Sequence, residues 1–307
     1  MMIFLRIILL FVAAALLTTC TDKKQPTKTD DSFSFVFMTD IHLKPEMNAP
    51  KGFQMAIDKT NELNPDFVII GGDLVYDAMR GGQTRCDSLF TLYKEMSKGF
   101  RMPVYNTLGN HDLFAIYPES PEPETNPDYK YGMFERYLGK TYYSFNHKGW
   151  HFIVLNSLDV TEDKKYCGHF HEEQLEWLKT DLEKTDTLTP IVVVSHIPML
   201  SVRGQLTGSA GPMIDNVAEV FKIHENHNLK LILQGHIHWK ESGTVNDRFK
   251  FITGGSIAGS GWKGRRHNTK EGFVLVKVQG GELSWEYIDH GWENERLKLE
   301  NERTIIN

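Results

Sequence analysis

From Phe33 onward, short and nearly continuous apolar runs alternate with longer stretches in which apolar residues recur every three or four positions. Continuous runs of this length fit strands buried on both faces, and the three-to-four spacing fits helices with one face in a core. Phe53, Ala56, Ile57, Thr60 and Leu63 predict one such helix, and Leu89, Phe90, Tyr93 and Met96 a second. Leu175, Leu178 and Leu182 predict a third, and Val217, Val220 and Phe221, with His224 at its end, a fourth. Later in the chain, the runs at 142–146, 151–155, 249–253, 273–278 and 283–288 lean toward antiparallel pairing, with Gly280-Gly281 as a hairpin turn. The pattern predicts an α/β protein of two packed sheets with helices outside, folded as a single domain over residues 33–292.

Five of the runs end in the same manner. Residues 34–38 lead into Thr39-Asp40-Ile41-His42, residues 66–70 into Gly71-Gly72-Asp73, and residues 104–108 into Gly109-Asn110-His111-Asp112. Residues 191–194 lead into Ser195-His196, and residues 229–233 into Gln234-Gly235-His236-Ile237-His238. Each of these strands therefore delivers a carboxylate, amide or imidazole at its C-terminal end. In α/β sheets, sites form in the crevice beyond those ends, so five exits can converge on one place. Gly71, Gly72, Gly109 and Gly235 suit the tight exits, because they allow backbone conformations and close approaches that a Cβ obstructs.

The segment before Phe33 reads differently. Arg6, an apolar stretch from Ile7 to Leu17, and Thr18-Thr19-Cys20 have the order of an export signal, and the stretch is short for a bilayer-spanning helix. It resembles a bacterial lipoprotein signal, with Leu17 three places before the cysteine and Thr19 where a smaller residue is usual. The expectation is a signal peptide over 1–20, Cys20 as the lipid-bearing mature N-terminus, a flexible tether over 21–32, and a C-terminal tail over 293–307. That places the protein outside the cytoplasm on a bacterial membrane, in a compartment where Cys86 and Cys167 can persist as a disulfide. Two cysteines define no framework, however, and the preferred reading is a buried helical thiol at Cys86 and a loop thiol at Cys167.

Composition narrows the partners. The formal charge is −6, and no basic stripe with interleaved aromatics tracks a polyphosphate, which argues against a nucleic-acid polymer. With 40% hydrophobic and 24% charged residues, the 307-residue chain is ordinary globular protein.

The strand-end residues suit a pair of divalent cations, which need several ligands, one shared oxygen, and open positions for water and substrate. Imidazole suits Zn, Fe, Ni or Cu, and carboxylate and amide oxygens suit harder ions such as Mn, so the mixture points to a borderline metal without naming it, and Asp73 is the natural bridge. Asp40-x-His42, Gly72-Asp73, Gly109-Asn110-His111-Asp112, His196 and Gly235-His236-x-His238 together resemble the calcineurin-like metallophosphoesterase family, in family order. Tyr142-Tyr143-Ser144-Phe145 and Gln174-Leu175-x-Trp177-Leu178 resemble its cyclic-nucleotide-phosphodiesterase-like branch. The resemblance implies a four-layer α/β/β/α sandwich of two mixed sheets flanked by helices. It assigns Asp40, His42 and His238 to one metal, Asn110, His196 and His236 to a second, and Asp73 to both. It gives His111 contact with the phosphate and assistance to the leaving oxygen. Its implied reaction is hydrolysis of a small phosphate ester, phosphodiester favoured over monoester, by a metal-bridging hydroxide.

Other residues stay open. Asp73-Leu74-Val75-Tyr76 also resembles the purple-acid-phosphatase-related branch, whose tyrosine binds iron, but His42 stands where that branch usually has glycine and would take the tyrosine's place, so Tyr76 reads as packing beside the site. The acidic, Pro-rich stretch 118–128 is either a border of the site or a surface insertion, and Arg203 and Gly264-Arg265-Arg266-His267 are candidates for anion contact. His169, His171, His224 and His290 have no ligand spacing. Because fold alone does not establish catalysis, a metal-holding or partner-recruiting lipoprotein is the rival reading.

Overall fold

A computed structural model describes residues 31–209, 211, 213–258 and 266–293. The signal peptide, nearly all of the tether and the C-terminal tail lie outside these residues, as do Gly264 and Arg265. The strands in chain order are β1 (Phe33–Met38), β2 (Phe67–Ile70), β3 (Val104–Asn106), β4 (Tyr143–His147), β5 (Trp150–Val154), β6 (Leu158–Val160) and β7 (Tyr166–Gly168). There follow β8 (Ile191–Val194), β9 (Leu229–Gln234), β10 (Glu241–Val245), β11 (Phe249–Thr253), β12 (Gly272–Gln279) and β13 (Glu282–Asp289). The α-helices are α1 (Ala49–Leu63), α2 (Gln83–Ser97), α3 (Gly132–Leu138), α4 (Glu172–Glu183), α5 (Arg203–Thr207) and α6 (Val217–Ile223).

Two mixed sheets carry the fold, in the orders β13-β12-β1-β2-β3 and β10-β11-β9-β8-β5-β4, and β6 and β7 form a separate hairpin. Side chains alternate between two cores, as the period of two along a strand requires. Phe33, Phe35, Phe37, Phe67 and Ile69 meet Phe152, Val154, Val192, Val194, Leu231 and Leu233 between the sheets. Val36, Met38, Val68, Ile70, Ile153 and Val193 face the other way, into the core that holds the helices. The inter-sheet layer is largely aromatic: the Phe35 and Phe67 rings stack at 5.1 Å, and Phe152 meets Phe67 edge-on at 5.2 Å. Each fully buried phenylalanine of this kind stabilises the fold by about 1.5–3 kcal/mol over exposure.

The predicted helices form on the predicted faces. In α1, Phe53, Ala56, Ile57 and Thr60 are buried, a proline sits in the first turn, and Asn64 closes the end in the left-handed conformation. Gly280 and Gly281, at φ of 60° and 83°, make the two-residue turn between β12 and β13. Pairing direction is where the pattern misleads. β5 pairs antiparallel with β4 but parallel with β8, and β11 pairs parallel with β9 while β10 flanks it antiparallel at the edge. Side-chain alternation is the same in both pairings, so the sequence period cannot distinguish them. Cys167 lies in β7, not in a loop, because it pairs with Asp159 across the hairpin; Cys86 is buried on α2, its thiol pushed up to about 12 by burial. The two thiols are not joined to each other.

Candidate metal centre

The five strand ends converge as the parallel pairings demand. β1, β2 and β3 run parallel in one sheet, β8 and β9 in the other, so their C-terminal exits share one edge of the sandwich. Backbone hydrogen bonds knit the exits together: Asp40 N–H to Gly72 O at 3.0 Å, His42 N–H to Asp73 O at 2.9 Å, and Gly235 N–H to His196 O at 3.0 Å. Two glycines allow the approach. Gly72 holds φ of 97°, and a Cβ on Gly109 would overlap the backbone nitrogen of Asp73. Asp40, His42, Asp73, His236 and His238 all take left-handed backbone conformations, with φ between 49° and 73°. Such conformations cost about 1–3 kcal/mol each away from glycine and concentrate where a site over-determines them.

The side chains form two groups. Donor atoms of Asp40, His42, Asp73 and His238 lie within 4.8 Å of one another, as do those of Asp73, His196 and His236. Asn110 joins the second group, its Oδ1 3.1 Å from His196 Nε2 and 2.9 Å from His236 Nδ1. Asp73 Oδ2 stands between the groups, 3.4 Å from His42 Nε2 and 3.3 Å from His196 Nε2. In the first group, His238 Nε2 is 3.0 Å from Asp40 Oδ1. His196 donates from Nδ1 to Gly71 O at 2.8 Å, which aims Nε2 at Asp73 and Asn110.

Electrostatics favour a cation here. Burial alone would make Asp40 and Asp73 neutral acids, yet the surrounding imidazoles hold both carboxyls well below the usual range. Burial works against charging His196, but the Asp73 carboxylate raises it to about 9, so positive charge is stabilised at that position. His236 is lowered to about 3 by burial and by His196, and His111 to about 3 by burial, leaving both as neutral imidazoles. Two carboxylates, one amide oxygen and four imidazoles, nearly all buried, are the donor set a borderline divalent metal takes.

His111 stands outside both groups, its ring 4.6 Å from that of His42, and its backbone N–H donates to Asp73 Oδ1 at 2.7 Å. Tyr76 lies beside it at 6.0 Å, under the Lys44 ammonium, and also belongs to neither group. The acidic stretch is held by the protein itself. Glu119 pairs with Arg80, Glu124 with Lys164 and Asp128 with Arg136, while Glu122 accepts from the Gln83 N–H. His169 pairs with Asp215, His171 with Tyr131, and His224 donates from Nδ1 to Val220 O. His290 stacks on Phe273, so none of the four approaches the donor groups.

A cavity of about 190 Å³ opens over the site, lined by Asp73, Asn110, His111, Tyr166, Arg203, His236, His238 and Arg266. A larger groove of about 420 Å³ between α4 and α6 lies among Leu182, Ile223 and surface charges, away from these donors. Arg203 and Arg266, read from sequence as anion contacts, thus reach the cavity. Tyr166 carries no sequence signal, because its short hairpin has no run long enough to predict. Asp112 stands out in the sequence only as the last residue of a motif. Its buried carboxylate accepts from Leu74, Val75 and Gly109 N–H groups at 2.8–3.1 Å, tying the Asp73 turn to the Asn110 turn.

The family profile described as calcineurin-like phosphoesterase matches residues 33–240. A bovine relative, serine/threonine-protein phosphatase CPPED1 of Bos taurus, is 30% identical over 207 residues, covering 63% of this chain and 60% of its own length. A manganese-dependent ADP-ribose/CDP-alcohol diphosphatase of Arabidopsis thaliana is 26% identical over 220 residues, 60% of this chain and 69% of that protein. The chain thus spans less than two thirds of the bovine relative. Among solved structures, a dimetal phosphatase from Danio rerio superposes with a TM-score of 0.59 at 14% identity, covering 84% of this chain and 96% of that one. The yellow lupin purple acid phosphatase PPD1 gives 0.59 at 13% identity over 84% of this chain and 52% of that one, and both show a shared fold. The family uses a dinuclear centre of Mn, Fe or Zn, and the buried Asp/His cluster described above fits it. By its matched profile over most of its length, this chain belongs to the calcineurin-like phosphoesterase family.

Proposed function

We propose that the chain is a metal-dependent phosphoric ester hydrolase. Asp40, His42, Asp73 and His238 would hold one divalent cation, and Asp73, Asn110, His196 and His236 would hold a second. The observation that carries this reading is Asp73 Oδ2, set within 3.4 Å of imidazoles from both groups. When bound, the metals supply Lewis acidity and a more acidic water. The chain's own residues do the rest. Asp112 fixes the two turns that carry Asp73 and Asn110, and the Gly71 carbonyl orients His196. His111, neutral and facing the cavity, offers a hydrogen bond to an oxygen on the phosphate or on the departing group.

A phosphodiester-type phosphorus is favoured over a monoester, on the resemblance of residues 142–145 and 174–178. A cavity of about 190 Å³ also supports a reading in which the phosphate enters and the organic part stays outside. Export and anchoring through Cys20 belong to the same proposal, supported by the order of Arg6, the apolar stretch and the cysteine. The hydrolase reading is tested by metal-dependent turnover of bis(para-nitrophenyl) phosphate and para-nitrophenyl phosphate, with Asp73→Asn as the control. Activity in the wild type that is lost in the variant is expected; a folded wild type inactive with Mn, Fe and Zn alike would favour a binding module. Anchoring predicts that the chain sediments with membranes and that Cys20→Ser releases it, whereas a soluble wild type contradicts it.

A further inference from the structure

We propose that Arg203, Arg266 and Tyr166 form a subsite for a second phosphate, so that the substrate is a disubstituted diphosphate. The inference rests on reading the cavity floor as a dinuclear phosphoester site.

The three residues arrive from separate segments. Arg203 heads α5, Tyr166 opens β7, and Arg266 precedes β12. They are half-buried, whereas the donor residues beneath them, His236 apart, are buried, so they form the mouth of the same cavity. Each is tied to the site. Arg266 donates from Nη1 to the carbonyl of Ile237, the residue between His236 and His238, at 3.5 Å. The Tyr166 ring meets that of His236 edge-on at 5.9 Å. The Arg203 guanidinium lies against Gly211, where a Cβ would come within 2.6 Å of Nη1. Its Nε is buried and has no hydrogen-bond partner among the described residues.

Two guanidinium groups facing one small cavity repel each other, and burial together with Arg203 disfavours the charge on Arg266. An anion between them removes both costs and takes their N–H donors in the paired geometry that phosphate oxygens accept. Tyr166, which lines the same cavity, adds a hydroxyl donor. Charge counting separates the ester classes. The donor groups hold two carboxylates, Asp40 and Asp73, against the two guanidinium groups at the mouth, so two bound divalent ions would leave a positive excess over the site. A simple diester brings one negative charge. A monoester brings up to two, but both sit on the phosphorus that the floor already grips, and only an adjacent second phosphate extends charge to the mouth. Hydrolysis of a disubstituted diphosphate adds water's oxygen to one phosphorus and breaks its bond to the bridging oxygen. The electron pair stays on the departing phosphate, and the two phosphomonoester products share water's two protons.

The test compares kcat/KM of the full chain, with Mn²⁺ added, on bis(para-nitrophenyl) diphosphate, bis(para-nitrophenyl) phosphate and para-nitrophenyl phosphate, with products resolved by chromatography. The diphosphate is expected to lead both single-phosphate esters by about tenfold or more, the scale of one charge-assisted contact. In Arg203→Ala and Arg266→Ala the diphosphate is expected to lose at least about tenfold more than the simple diester, and Gly211→Ala, which displaces Arg203, to lose in the same direction. Equal losses on all three substrates, or a wild type that prefers a single-phosphate ester, would overturn the subsite while leaving the hydrolase reading in place. Absence of turnover on all three would instead sink the hydrolase reading on which it rests.

Discussion

Asp40, His42, Asp73, Asn110, His196 and His238, on the floor of the cavity, are at most 6% exposed and hang from strand ends locked by backbone hydrogen bonds across both sheets. At its mouth, Arg203 rides on a five-residue helix, Tyr166 on a three-residue strand, and Arg266 in an irregular stretch. Four of these donors, Asp40, His42, Asp73 and His238, occupy left-handed backbone conformations that the converging turns sustain. The mouth residues have no positive φ, and none of them lies in either of the two main sheets. The difference suggests a division of labour that follows from the proposed function: the floor would set whether phosphoester chemistry occurs, and the mouth which ester is taken. Substitutions in the floor should therefore damage every substrate alike, and those in the mouth should damage one class more than another.

The sharpest way to break this contrast is Asp73→Asn. Replacing the shared oxygen should lower kcat/KM by on the order of a thousandfold on every ester, with the thermal melt little changed. Next comes Gly109→Ala, whose methyl would collide with the Asp73 backbone nitrogen. About a hundredfold loss of activity and a drop in stability of roughly 3 kcal/mol are expected from kinetics and denaturant titration. The mouth variants follow, with the tenfold, substrate-selective losses given above.

Stability without chemistry gives a smaller effect. Phe152→Ala, in the inter-sheet core, should cost about 3–5 kcal/mol in urea titration while kcat on folded protein changes less than in any floor variant. Acid should weaken the fold through groups remote from the cavity. His224 and His290 are lowered to about 4 by burial, so in this window the unfolded chain binds protons that the folded chain refuses. Stability should be intact above pH ~6.5 and fall as pH drops toward 4, by at most about 3 kcal/mol per imidazole. His224→Phe should flatten part of that slope in melts across the window; an unchanged slope would show that His224 does not titrate there.

Much of the floor was legible in the sequence, for a physical reason. A strand buried on both faces must be apolar throughout, so the first polar residue after it marks the strand's exit, and five exits carrying Asp, Asn or His stand out against the apolar background. The helical faces of α1, α2 and α4 were legible through the same contrast. Pairing direction was not, since β11 alternates identically whether it lies parallel to β9 or antiparallel to it. Tyr166 was invisible because β6 and β7 are three residues each, too short to show a period. The clamp by Asp112 was hidden for another reason: three backbone N–H groups from two distant turns meet there, and no local pattern encodes their meeting.

The central claim is that one carboxylate oxygen of Asp73 serves two cation sites. Titration of the metal-free chain with Mn²⁺, followed by calorimetry and by elemental analysis of the dialysed protein, tests it most directly. The account predicts two ions per wild-type chain, one for each donor group, and at most one tightly held ion in Asp73→Asn. A wild type that binds a single ion, or a variant that keeps both with undiminished affinity, would contradict it.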